Sequence, residues 1–313
     1  MPPTSTILLC PGQGAQHVGM GKAWHDTHPA AAEVFAEAQS VLDFDLTRLC
    51  FEGPEDTLNR TDMAQVAIYT ASVASHRALV ASGVLGDAQL TAGLSLGEFT
   101  ALHLAGAFDF KSGLELVKLR GQAMQDAAGL SESSMVALIG ADEAQALALC
   151  EEALNDPENK GEEVLVPANF NCPGQIVISG SLSACERAVV VAEKMQIAAK
   201  PLAVAGAFHS PLMRPAADRL AEALDKVDWH TPKVPVLSNV TAERHENDIE
   251  SIKARLVEQL TNPVRWSQSM QNLLAEPIGD EMRLVELAPG KVLSGLMRRI
   301  DRKTKVENHA VPA

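Results

Sequence analysis

Short β-rich runs alternate with longer alanine- and leucine-rich segments of helical period along most of this chain, which predicts an α/β protein with a mostly parallel sheet. Residues 4–12 read as a strand ending at a Pro-Gly turn, and 28–42 as an amphipathic helix. Residues 62–83 make a long, nearly all-apolar helix closed by Gly83. A short strand at 90–93, a turn at Ser95 and a helix through 98–106 then form a strand-turn-helix unit. From about residue 130 the texture changes. A strand at 133–140, a helix at 143–154, strands at 162–170 and 174–180, a helix at 183–195 and a strand at 200–204 follow in ferredoxin-like order. The expected organisation is an α/β-hydrolase-like core of residues 1–129 and 204–313 with a smaller ferredoxin-like subdomain at 130–203. Further strands are expected at 234–240 and 283–290, an exposed polar loop at 242–251, and a C-terminal tail that frays.

Composition narrows the function. At 313 residues and 46% apolar content, the chain can bury one large core and a smaller lobe. Lysine and arginine number 26 against 40 aspartates and glutamates, a net charge of −14, so the basic field needed to hold nucleic acid or an anionic membrane is missing. The first residues carry no positive segment, and their apolar run is too short for a secretory signal or a membrane span; a cytoplasmic protein is expected. Five cysteines, odd in number and without C-x-x-C spacing, read as buried thiols rather than disulfides or a metal site.

The chemistry centres on Gly93-Leu94-Ser95-Leu96-Gly97. A hydroxyl becomes a useful nucleophile when a base takes its proton and donors stabilise the oxyanion that forms. In G-x-S-x-G the glycines let the chain turn tightly and expose the serine at the end of the sheet, beside the free N–H groups of a helix N-terminus. Leu96 N–H is then the natural oxyanion donor. Ser95 to Glu98 also match S-x-x-E, the capping box, in which serine and glutamate serve only each other's backbone. These residues alone leave both roles open.

Seven stretches in fixed order widen the view: PGQGAQHVGMG at 11–21, GLSLGEFTAL at 93–102, LVKLRGQAMQDA at 116–127, ANFNCPGQIVISG at 168–180, GAFHSPLMRPAAD at 206–218, QLTNPVRWSQSM at 259–270 and LAPGKVLSGLMRRI at 287–300. Together they resemble malonyl-CoA:acyl carrier protein transacylases and the related acyltransferase domains of polyketide synthases, over essentially the whole chain. The resemblance implies a malonyl group carried from malonyl-CoA to the phosphopantetheine thiol of acyl carrier protein through a malonyl-serine ester, with no cofactor and no metal, by a monomer. It implies Ser95 as nucleophile, His209 as its base and the Gln259 carbonyl as the group orienting that base. Gln13 joins Leu96 in the oxyanion hole, Arg120 binds the free carboxylate, and Met124 and Phe208 shape the pocket. A guanidinium suits that carboxylate because it offers two parallel hydrogen bonds. Without the resemblance, His209 would read as a half-buried histidine and Arg120 as a solvated helix charge.

One position departs from the pattern. The family has histidine before the serine, where this chain has Leu94; strand alternation predicts that Leu94 points away from the pocket and packs. Arg187, Lys194, Lys200, Arg214 and Arg219 are candidates for a local basic patch toward an acidic carrier. Two rivals stand beside the transferase: a serine hydrolase or thioesterase, which would want a late histidine such as His309, and an impaired carrier-binding protein. Whether the carrier serves fatty-acid or polyketide synthesis is left open.

Overall fold

The computed structural model describes residues 5–155, 163–276 and 282–312. Thr4 and Glu162, at which two of the expected strands begin, lie outside the described residues. Two four-stranded sheets organise the rest. β1 (Ser5–Cys10), β2 (Leu90–Gly93), β7 (Met282–Leu287) and β8 (Val306–His309) form a parallel sheet in the order β2-β1-β7-β8. β1, β2 and the second half of β7 are buried on both faces, as parallel strands inside a sheet require, while β8 is a partly exposed edge. Ile7 and Leu9 pack with Trp266, Met270 and Met297 on one side, while Leu8 and Cys10 join the large core on the other.

β3 (Ser133–Ile139), β4 (Leu165–Cys172), β5 (Gln175–Ser181) and β6 (Ala198–Pro201) form the second, antiparallel sheet in the order β4-β5-β3-β6. With the helices Glu143–Leu154 and Leu182–Lys194 this is the ferredoxin-like arrangement. One face of β3 and β5 gives Val136, Leu138, Ile176 and Ile178 to a core under those helices. The other gives Met135, Ala137 and Val177 to the large core. Strand alternation thus welds the smaller sheet to the larger unit.

The apolar helix Thr61–Ala81 runs through that large core. Gly83, at φ 68°, lets the chain reverse, with Val84 N–H on Leu79 O at 2.9 Å and Gly83 N–H on Val80 O at 3.0 Å. All five cysteines are free and buried. No helix among the described residues is long and apolar enough to cross a membrane.

Three expectations fail. Residues 234–240 form no regular strand: Val236 bridges Thr91 and Leu237 bridges Arg244, each singly. Pro235 gives its carbonyl to Thr91 but has no N–H to extend the ladder. The stretch 242–251 is not simply an exposed loop, since the His245 side chain is only 2% exposed and the helix Ile249–Thr261 has already begun. The tail does not fray: β8 pairs with β7, and His309 O accepts from the buried Trp24 indole at 3.0 Å.

Candidate active site

Adjacent parallel strands bring their C-terminal ends to one rim, and Cys10 of β1 lies opposite Gly93 of β2. Gln13, just past β1, and Ser95, just past β2, consequently line the same cavity, which measures ≈ 460 Å³. Ligand sites in open α/β sheets lie at this end of the strands. Met124 and Phe208 line it from the larger unit; Met135, Asn169, Asn171 and Val177 line it from the smaller sheet. It is therefore a cleft between the two sheets.

The turn after β2 depends on its glycines. A Cβ on Gly93 would come within 1.9 Å of the Gly97 main chain, and one on Gly97 within 2.1 Å of Cys10 O. Only with hydrogens at both positions can the helix Leu96–Leu104 start so close to the strands. Ser95 itself sits at φ 53°, ψ −104°, a strained conformation that costs roughly 1–3 kcal/mol and is kept by the contacts around it. Its N–H donates to Asn239 Oδ1 at 2.6 Å, and Asn239 Nδ2 donates to Gly93 O at 2.7 Å. The capping box is not formed. The Ser95 hydroxyl is turned into the cleft instead of onto the helix, and Glu98 is engaged elsewhere. Leu96, first in that helix and buried, has no preceding turn to take its N–H.

His209, on the segment that follows β6, also adopts a positive φ, 56°. Its Nδ1 lies 2.7 Å from Gln259 O, and its Nε2 lies 2.8 Å from Ser95 Oγ. A carbonyl can only accept, so Nδ1 carries the proton and Nε2 presents its lone pair to the serine. The Gln259 carbonyl is free for a reason written in the chain. It lies in the last turn of its helix, and the chain becomes extended at Asn262, the residue before Pro263, so no helical N–H follows to take it. Burial, then the nearby Arg120 charge, push the His209 imidazole down to about 4, while its bond to Gln259 acts the other way. The base is held neutral.

Arg120, from the helix Phe110–Ala128, is enclosed rather than solvated, at 1% exposure. Nη2 donates to Ser95 Oγ at 3.0 Å and to Gln259 Oε1 at 2.8 Å; Nη1 donates to Gln65 Oε1 at 2.8 Å. The guanidinium also lies over the Phe99 ring, 5.4 Å from its centroid. Burial draws its pKa down to about 10, and Glu98 works against that fall. Among the described residues no carboxylate contacts this guanidinium, and its Nε has no partner. It is a buried cation that does not itself line the cavity and meets it through the Ser95 hydroxyl.

Leu94 corrects an expectation. It packs on the Trp266 cluster but also lines the cleft beside Ser95. The strand ends at Gly93, so alternation does not carry through residue 94. Of the suggested basic patch, Arg187 is held by Glu163 and by Ala153 O at 2.8 Å, and Arg219 by Asp126 at 2.6 Å. Four residues bearing on the site escaped sequence reasoning: Gln65, Glu98, Asn239 and His245. Glu98 stood inside the S-x-x-E pattern and read as a cap; the others carry no motif.

A strained serine beside a neutral imidazole, on the rim of an α/β sheet, is machinery for moving acyl groups. The class follows from the whole chain as well, because the family model of the acyl transferase domain matches residues 7–311. More narrowly, the chain belongs to the malonyl CoA-acyl carrier protein transacylase family. It is 42% identical over 299 residues to the member from Bacillus subtilis (strain 168), covering 95% of this chain and 91% of that protein. With the Escherichia coli (strain K12) member it shares 41% over 298 residues, 95% of this chain and 93% of that one. The solved structure of the Coxiella burnetii malonyl CoA-acyl carrier protein transacylase matches with a TM-score of 0.92 at 38% identity, covering 99% of this chain and 95% of its own. The solved complex of a type II PKS acyl-carrier protein with its malonyl-transacylase contains a chain that matches with a TM-score of 0.92 at 38% identity, covering 99% of this chain and 97% of its own.

Proposed function

We propose that this protein moves a malonyl group from malonyl-CoA to the phosphopantetheine thiol of an acyl carrier protein, through an ester on Ser95. The observation that carries the reading is the double contact on one oxygen: Ser95 Oγ meets the His209 lone pair at 2.8 Å and an Arg120 donor at 3.0 Å. The first contact provides a base for the hydroxyl proton. The second puts a buried cation where the free carboxylate of a malonyl thioester would need one.

In the first half-reaction Ser95 Oγ attacks the thioester carbonyl as its proton passes to His209 Nε2. The C–S bond breaks, and the proton goes on to the departing coenzyme A sulfur. Main-chain N–H groups of Leu96 and Gln13, at the rim formed by β2 and β1, are the donors assigned to the oxyanion. In the second half-reaction the carrier thiol gives its proton to His209 and attacks the ester carbonyl. The C–O bond breaks, and Ser95 recovers its proton. Gln65 and Gln259 hold the guanidinium for the carboxylate, Met124 lines the floor, and Phe208 crowds the carbon between the two carbonyls. The hydrolase reading loses ground because His209 Nδ1 meets a main-chain carbonyl, while His309 lies on β8, near Glu307.

Brief exposure to isotope-labelled malonyl-CoA, followed by digestion and mass spectrometry, tests the reading. Label is expected on the peptide holding Ser95, to be released by carrier thiol faster than by water, and lost in Ser95→Ala. Label on another residue, or release by water alone, refutes it.

A further inference from the structure

Ser95, His209 and Arg120 come from three separate parts of the chain, and one buried carboxylate touches the supports of all three. Glu98 is 0% exposed. Its Oε1 accepts from His245 Nε2 at 2.6 Å; its Oε2 accepts from Gln259 Nε2 at 2.7 Å and from the Asn239 N–H at 3.1 Å. Each partner except His245 bears on a reacting group. Asn239 brackets the turn, as described, through Ser95 N–H and Gly93 O. Gln259 makes three such contacts: Nε2 on Ser95 O at 3.0 Å, Oε1 under Arg120 Nη2 at 2.8 Å, and its main-chain O under His209 Nδ1 at 2.7 Å.

A carboxylate can only accept and a guanidinium can only donate, so Glu98 and Arg120 together dictate which end of the Gln259 amide faces which. Each favours the same orientation, and the two contacts reinforce one another. Burying a carboxylate is a poor route to stability, since an apolar group of similar size often serves as well. We propose that Glu98 is a positioning residue for acyl transfer: its charge locks Gln259 and Asn239, and through them sets Ser95, His209 and Arg120 against one another. His245 completes the lock by donating to the second carboxylate oxygen; its own Nδ1 is buried with no partner among the described residues, so Glu98 is what holds the ring. This role rests on the acyl-serine reading above.

Glu98→Gln, His245→Ala and His245→Gln test it. The readouts are the single-turnover rate of Ser95 labelling by malonyl-CoA, the pH profile of kcat/KM, and the thermal midpoint. Glu98→Gln lets the Gln259 amide turn over, and loss of alignment of this kind is expected to slow labelling about 10- to 100-fold. The high-pH limb, set by Arg120, is expected to move to lower pH, because Glu98 favours the charged guanidinium; that shift reports the lost charge, whereas the labelling rate at an unchanged thermal midpoint reports the lost alignment. His245→Ala is expected to slow labelling, and His245→Gln, which keeps a donor for Oε1, to restore it. Normal wild-type labelling, with Glu98→Gln folded and within about twofold of that rate, overturns the positioning role alone. If wild-type protein takes no label on Ser95, the acyl-serine reading fails first and this proposal with it. Should Glu98→Gln not fold, His245→Ala decides: wild-type labelling overturns the proposal, and a loss recovered in His245→Gln sustains it.

Discussion

Replacing Arg120 by glutamine should change the pH at which Ser95 becomes reactive. In the native site the imidazole of His209 is held down to about 4, mainly by burial and next by the Arg120 charge. Near pH 5.5 an imidazole at its ordinary value would be only about 10% neutral, whereas one at about 4 is roughly 97% neutral, a difference of nearly tenfold in available base. Arg120→Gln removes the second cause and leaves the first, so the acid limb should move up toward the ordinary value without reaching it. The assay is acylation of Ser95 by a neutral activated ester, followed by mass spectrometry after brief pH jumps. A neutral reagent keeps the titration of malonate's own carboxylate, and its affinity for Arg120, out of the profile. In the native protein the rate should rise through about pH 4 and stay level across the neutral range. An acid limb between pH 6 and 7 that Arg120→Gln leaves in place would refute the assignment of a buried, neutral His209 beside a buried cation.

Three further outcomes are expected. Phe208→Ala should open the cleft to an α-methyl branch, so that the preference for malonyl- over methylmalonyl-CoA, about 10- to 200-fold for a methyl-sized clash, shrinks in a competitive labelling experiment. Pro263→Ala restores a backbone N–H four residues after Gln259; competition for that carbonyl should cut the acylation rate by up to about tenfold, with little change in KM. His209 also makes folding sensitive to acid. Because its folded value lies below its unfolded one, the stability it contributes is complete above the unfolded value of about 6.5 and is lost as pH falls from there through about 4. The gap of about 2.5, at about 1.4 kcal/mol for each, amounts to roughly 3 kcal/mol, which urea titrations of native and His209→Phe protein at pH 7 and pH 4 would reveal as a difference in acid dependence.

What this chain states by itself is local and ordered. Alternation and helical period announce the parallel sheet and the strand, helix, strand, strand, helix, strand unit, because those signals depend on neighbours a few residues apart. The glycines around Ser95 are legible for the same reason, since a tight turn needs them within two residues. Pro263 is equally local, and it frees a carbonyl whose use only the fold reveals. Tertiary structure decided the rest. Glu98 and Ser95 share a helix start that looks like a cap, yet a histidine 147 positions away and a glutamine 161 positions away claim the carboxylate. Arg120 and its neighbour Lys118 read alike on one helix; Lys118 reaches Asp43 at the surface, and only packing against Gln65, Phe99 and Gln259 turns Arg120 into a buried cation. Leu94 lines the cleft because the strand stops one residue before it. The reason is common to all three: burial and charge pairing depend on which distant segments meet, and no spacing along a single segment records that.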